Sequence, residues 1–189
     1  MPNKTTMEFG KIGITKQRIA ALLLCALVVL SMPAMGQQTK LVHVSTAELR
    51  SVRRKIDPKL LPDGAIEIEV EDKQVFNLVI RNQRLFTVVP VLFRAPVDVV
   101  YTQGVATGCG IYLIPASGTD RFMWAIGREE PGIVMCGGVT SMRLDRHVDS
   151  NPDIELTFDA YTLHNNFSVP GTLHWDKNSN EYHLDTYGP

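Results

Sequence analysis

The hydrophobic and polar positions change their period once along the chain, and this change predicts the fold. Apolar residues recur at helical spacing over residues 49–56, and Ser45-Thr-Ala-Glu48 has the spacing of a capping box. Further on the pattern alternates, as in Ile66-Glu-Ile-Glu-Val70, which is typical of a strand with one buried face. We therefore expect one short helix over residues 46–56, peripheral to a sheet, and strands after it.

The rest of the chain reads as short strands separated by turn-forming residues. Arg81-Asn-Gln-Arg84 is expected in a hairpin turn, Pro90 at an edge or bend, and Gly137-Gly138 in a bulge or a hairpin tip. A last hairpin is expected to turn at Asp176-Lys-Asn-Ser-Asn180. Roughly nine or ten strands at such spacing predict an all-β fold, an antiparallel sandwich or barrel with one short N-terminal peripheral helix.

The N-terminal residues have the three parts of a secretory signal peptide. A basic segment precedes the apolar core Ile19–Leu30, and small residues precede a cut after Gly36. A core of 12 residues rises only about 18 Å as a helix, against about 30 Å of membrane hydrocarbon. We therefore expect residues 1–36 to be removed, 37–60 to form a polar arm and a basic helix, and 61–189 to form a single β domain.

Cysteine usage agrees with export to the periplasm or the medium of a bacterium. Cys109 and Cys136 remain once the signal peptide and its Cys25 are removed. In an oxidising compartment the two are expected to form a disulfide, the alternative being two buried free thiols. The bond would close a loop of 28 residues, counting both ends. In the chain-entropy model this contributes about 3.5 kcal/mol to stability.

The balance of basic and acidic residues limits which classes of partner are expected. The chain expected after cleavage contains 15 Lys and Arg and 19 Asp and Glu, because residues 1–36 hold four of the basic and one of the acidic residues. An acidic body does not suit nucleic-acid binding, which needs a basic face. We expect a protein partner, basic in character, and no nucleic acid. Membrane contact is expected only transiently through the signal peptide, or weakly through the basic helix.

No motif for catalysis stands out, and we predict no catalytic residue, no metal and no cofactor. No serine or cysteine has the setting of an activated nucleophile, and no glycine loop leads into a helix that would hold phosphate. Residues 176–180 resemble the opening of a calcium loop, but Glu181 replaces the required glycine and Tyr187 the bidentate glutamate. A polar hairpin turn is the preferred interpretation.

The histidines of the second half support an alternative, a metal-assisted hydrolase. In the expected five-residue turn Trp175 faces Glu181, so the side chains of His174 and His183 point to opposite faces of the sheet. A shared metal would then require a bulge. The residues that such an enzyme would draw on are His147, Asp149, His164, His174 and His183.

The preferred prediction is a non-enzymatic envelope protein that binds another macromolecule. Residues 116–124 resemble a loop of the small periplasmic C-type lysozyme inhibitors, with Arg121 in place of that loop's tyrosine. The resemblance is confined to this short stretch, so we assign no family. It implies a role as inhibitor, immunity factor or adaptor; a further alternative is a structural component of envelope assembly. Candidate contact regions are the 115–120 and 127–132 loops and the acidic segment 145–159, and the candidate binding residues are Asp149, Asp153, Trp175 and Tyr187.

Overall fold

The computed structural model describes residues 39–99, 102–126, 134–145, 151–162 and 164–187, with backbone alone for residues 95–99 and 102–106. All of these residues belong to one compact unit. The predicted signal peptide and the 127–132 loop lie outside the described residues.

Two antiparallel sheets make up the fold, as the alternating pattern predicted. The first sheet has the order β1-β3-β4-β5-β6, and β2 also pairs with β4. The second has the order β10-β9-β8-β7. The strands are β1 (Thr39–His43), β2 (Ile66–Val70), β3 (Phe76–Ile80), β4 (Gln83–Val99), β5 (Thr102–Pro115), β6 (Arg121–Ile126), β7 (Met135–Leu144), β8 (Ile154–Tyr161), β9 (Asn166–Asp176) and β10 (Glu181–Thr186).

The single α-helix of the described residues begins and ends close to its predicted bounds. Helix α1 spans Thr46–Lys55, and the Ser45 hydroxyl accepts a hydrogen bond from the backbone N–H of Glu48 at 3.3 Å. Its buried Val52 packs on one face of the first sheet, with Val89 and Tyr112. Short 3₁₀ turns follow at Pro58–Leu60 and Asp72–Gln74. The helix is therefore peripheral, as expected.

The central strand β4 contradicts one of the two positions predicted for Pro90, the sheet edge. β4 has β5 on one side and β3 followed by β2 on the other, so Pro90 is not at a sheet edge. The Pro90 carbonyl accepts from the backbone N–H of Glu71 at 3.2 Å, on the side where β3 gives way to β2. Because the N–H and C=O of one residue in an antiparallel strand point to the same side, the missing N–H faces this gap. The proline therefore costs the sheet no strand-to-strand hydrogen bond.

The disulfide Cys109–Cys136 is present and joins the two sheets. Cys109 lies in β5 and Cys136 in β7, with Cα atoms 5.7 Å apart, and both residues are buried in the main core at 1% and 0% exposure. Phe158 and Leu173 of the second sheet pack in the same core. The bond therefore links the two layers at their packed faces rather than closing a surface loop.

Two predicted turns take a defined form. Arg81 and Asn82 both have positive φ, 51° and 63°, which is typical of the tight type I′ turn that suits a hairpin. Around Gly137-Gly138 the pairing of β7 with β8 shifts by one residue, so the two glycines form a bulge rather than a hairpin tip. Gly138 has a φ of 123°, a conformation that favours glycine.

Candidate functional site

The last hairpin determines the candidate site, and its register differs from the predicted one. Asp176 pairs with Glu181, so the turn has four residues, and Trp175 therefore faces Tyr182. The prediction that Trp175 faces Glu181 was wrong by one residue. Because side chains alternate between faces, a one-residue shift moves each residue's expected neighbour to the other face. His174 and His183 are consequently direct cross-strand partners on the same face.

The Asp176 carboxylate holds this turn together. It accepts hydrogen bonds from the backbone N–H of Asn178 at 2.9 Å and from the Ser179 hydroxyl at 2.9 Å. These bonds, the one from Asn178 first, lower the pKa of Asp176 because they favour its charged form. Asn180 ends the turn with a φ of 57°. The calcium-loop residues thus form a polar hairpin turn, as preferred from the sequence.

Beside this hairpin lies an open cavity of about 610 Å³, which we call the aromatic–acidic cavity. Its lining residues come from the segment before β8, from β9 and its turn, and from β10 and the residue after it. Tyr187 is the most exposed large hydrophobic residue in the described part of the chain, at 58%. The lining comprises Asn151, Asp153, Thr172, His174, Trp175, Lys177, Asp185 and Tyr187.

Core contacts fix the walls of the aromatic–acidic cavity. The Trp175 ring packs edge-on against Tyr182, with centroids 5.2 Å apart, and the Tyr182 hydroxyl donates to the carbonyl of Pro152 at 3.1 Å. Burial raises the pKa of Tyr182, so its hydroxyl stays protonated as a donor. On the other side, the backbone N–H of Tyr187 donates to the Pro170 carbonyl at 2.9 Å. Ring packing against Tyr182 therefore holds the Trp175 side chain, and a backbone hydrogen bond holds the chain at Tyr187.

The chemistry of the aromatic–acidic cavity favours binding of a cationic group. Asp153 and Asp185 contribute two carboxylates, whereas Lys177 is the one side chain of the lining that is always cationic. The aromatic rings of Trp175 and Tyr187 offer apolar area and faces that attract cations. An arginine or lysine from a partner would meet both kinds of group in one place.

A second cavity of about 520 Å³ shares two lining residues, Asn151 and Trp175, with the first. It lies between the ends of the two sheets, where Arg121 of β6 and Glu181 of β10 form an ion pair at 2.7 Å. Leu85 and residues of the predicted 115–120 contact loop contribute to its lining. Trp175 therefore stands between an acidic cavity and a more apolar one.

Three of the four candidate binding residues come together at this site. Asp153, Trp175 and Tyr187 line the aromatic–acidic cavity, while Asp149 lies outside the described residues. Sequence reasoning did not place Asp185 and His174 beside them. Had the turn length been known, alternation along β9 and β10 would have placed Thr172, His174 and Asp185 on one face of the sheet, because Thr172 faces Asp185 directly.

The residues of the hydrolase alternative are only partly brought together. His174 and His183 are neighbours, His164 lies in the turn that joins β8 to β9, and His147 lies outside the described residues. Within the described ranges, no group of three or more His, Cys, Asp and Glu is arranged to hold a metal ion.

A contact at Ser179 has the composition of a catalytic triad but not its geometry. The Ser179 hydroxyl lies 2.8 Å from Nε2 of His183, and Asp176 Oδ2 lies 3.9 Å from that same nitrogen. In a triad the carboxylate would hold the opposite ring nitrogen and leave the serine proton to the histidine. Here Asp176 instead accepts a hydrogen bond from the serine itself, so the arrangement stabilises a turn.

Comparison with known proteins finds no match to any protein family, curated protein or solved structure. No helix among the described residues has the length and apolar character needed to cross a membrane.

Proposed function

We propose that this chain is an exported, non-enzymatic envelope protein whose β domain binds another protein through the aromatic–acidic cavity. The observation that carries the proposal is the position of Asp153, Trp175 and Tyr187 around one open cavity. These residues come from separate segments, and interface hot spots are enriched in tryptophan and tyrosine.

The proposed partner presents a basic, arginine- or lysine-bearing surface. Asp153 and Asp185 would pair with its cationic groups at the rim, while Tyr187 and Trp175 would cover the side-chain stems. Charge pairs of this kind speed association and weaken as salt rises. An inhibitor, immunity factor or adaptor would use such a surface to recognise one partner.

Export is part of the same proposal. The three-part N-terminus supports removal of residues 1–36, and the Cys109–Cys136 disulfide is compatible with an oxidising compartment. The intact mass of the protein isolated from its host tests this directly. A mass that corresponds to a chain beginning at Gln37 supports export, and a mass that includes residues 1–36 contradicts cleavage after Gly36.

The binding proposal is tested by quantitative capture from an envelope extract of the host. Wild-type protein is compared with Asp153→Lys, Tyr187→Ala and a control, Asp63→Lys. The control makes the same charge change at an exposed residue in the segment before β2, away from the cavity. We expect one basic protein to be retained by the wild type and the control, to be released as salt rises, and to be lost with both cavity variants.

The affinity measured with the captured partner then gives the size of the effect that each substitution has on binding. Truncation of a hot-spot tyrosine costs about 2 kcal/mol or more, so Tyr187→Ala should weaken binding about thirtyfold. Equal retention by wild type and both cavity variants would show that the contact surface lies elsewhere. Loss of binding with Asp63→Lys as well would show a general charge effect and no defined site.

A further inference from the structure

We propose that His174 and His183 together bind one divalent transition-metal ion of the zinc, nickel and copper group. The two residues face each other directly across β9 and β10, with ring centroids 6.2 Å apart and ring planes inclined by 29°. Their side chains are 33% and 43% exposed, so an ion can reach them from solvent. The sequence-based expectation of no metal depended on a register that placed these rings on opposite faces.

The placement on adjacent strands gives the pair the geometry of a chelate. Directly opposed residues in an antiparallel sheet have Cβ atoms about 4.5–5.5 Å apart, on a backbone that the ladder holds in place. Imidazole nitrogens bind zinc at about 2.0–2.1 Å, and rotation about the side-chain bonds brings two opposed rings onto one ion. Neutral imidazole suits zinc, copper and nickel, whereas calcium and magnesium prefer oxygen.

Neighbouring polar groups indicate which nitrogen of each ring would bind. Asp185 Oδ2 lies 3.5 Å from Nδ1 of His174, and the Ser179 hydroxyl lies 2.8 Å from Nε2 of His183. Partners of this kind fix the tautomer and orientation of histidines that bind metals. The structure therefore assigns the metal to Nε2 of His174 and Nδ1 of His183, with water in the remaining positions.

The site is bidentate, which agrees with the lack of a three-ligand group in the described ranges. The proposed metal binding involves no reaction and does not require the proposed protein partner. Two ligands from the protein give a weaker site than the three or four of catalytic and structural zinc centres. Its strength would come from the fixed separation of the two strands.

The test is a titration of the purified protein, without a histidine tag, with Zn²⁺. Binding is monitored by calorimetry and by the NMR signals of the imidazole nitrogens. His174→Asn and His183→Asn are compared with His164→Asn, a histidine in the β8–β9 turn. We expect one ion per chain, and a loss of affinity of about 100-fold or more with either variant of the pair but not with the control. Asp185→Asn should weaken binding about tenfold, since it orients His174.

Several outcomes would overturn the proposal. It fails if Zn²⁺ shifts the NMR signals of other histidines but not of His174 and His183, a readout on the wild-type protein that is independent of variant folding. It also fails if affinity is unchanged in both His174→Asn and His183→Asn. Competition by Ca²⁺ as strong as by Ni²⁺ would show that carboxylates, and not the histidine pair, bind the ion.

Discussion

Substitution of Gly138 by alanine should destabilise the fold through a contact that joins the two sheets. Glu71, which follows β2 of the first sheet, accepts a hydrogen bond at 2.6 Å from the backbone N–H of Val139 in β7 of the second. A Cβ atom on Gly138 would overlap Glu71 Oε1 and lie 2.9 Å from its Cδ atom. The alanine would therefore push Glu71 away from its hydrogen-bond donor.

The magnitude follows from two separate costs. Gly138 has a φ of 123°, and an L residue held in such a conformation costs about 1–3 kcal/mol. Loss of a hydrogen bond to a charged acceptor costs about 1.5–3 kcal/mol. The matched control is Gly118→Ala, since Gly118 has a φ of 112° but only the Pro115 ring within 4 Å of an added Cβ, at 3.9 Å. The control therefore pays the conformational cost alone.

Urea denaturation separates the two costs. The four proteins compared are Gly138→Ala and Gly118→Ala, each made in the wild-type chain and in a chain that carries Glu71→Ala. We expect Gly138→Ala to lose about 1.5–3 kcal/mol more than Gly118→Ala in the wild-type background. With Glu71→Ala already present, this difference should nearly vanish, because the displaced group is gone. If the difference is as large without the Glu71 carboxylate as with it, the proposed contact is not the cause of the destabilisation.

Two further predictions concern the same region. Replacing both Cys109 and Cys136 by alanine should lower the free energy of unfolding by about 3.5 kcal/mol and Tm by about 7–14 °C; a loss under about 1 kcal/mol would contradict the loop-entropy argument. Burial raises the pKa of Glu71 above its ordinary value of 4.5, so the folded chain holds the proton to a higher pH than the unfolded chain. This contribution to stability is complete below pH 4.5 and is lost as pH rises through the folded pKa. Glu71→Gln should remove that decline, and a variant profile parallel to the wild type from pH 4 to 8 would refute the assignment.

The fold class could be predicted because most strands here bury only one face. Residues 154–161 of β8 alternate strictly between buried and half-buried positions, and α1 has a capping serine with an apolar stripe behind it. The cysteine pair could be predicted from the expected oxidising compartment and from the even number of cysteines left after the predicted cleavage. That it joins β5 to β7 could not, because the sequence separation of two cysteines says nothing about which sheet each strand enters.

Strand β4 shows what local patterns leave out. Residues 86–93 are apolar at nearly every position, since one face packs on the second sheet and the other on α1. A run buried on both faces has no period of two, and Pro90 within it resembles a break. Strand β4 tolerates Pro90 because its pairing partner on that side changes from β3 to β2 at this point, which is a tertiary feature.

The candidate site was harder to predict than the fold because it depends on the exact length of the turn between β9 and β10, where one residue changes the register. A turn of five residues places His174 opposite Tyr182, whereas the observed turn of four places it opposite His183. Both lengths are common in hairpins, and residues 176–180 are good turn formers apart from Lys177. The choice depends on whether Asp176 pairs with Glu181 or joins the turn, which the sequence pattern does not decide.

The two proposed sites are linked by charge, since His174 lines the aromatic–acidic cavity and also belongs to the metal-binding pair. A bound divalent ion would place two positive charges close to Asp185, which lies 3.5 Å from the His174 ring. A basic partner would then meet a less negative surface, and by linkage the partner would weaken the metal by the same factor. Partner affinity measured with and without saturating Zn²⁺ should therefore fall for the wild type but not for His183→Asn, which lies outside the cavity lining. If Zn²⁺ weakens partner binding equally in both proteins, the ion acts at another place.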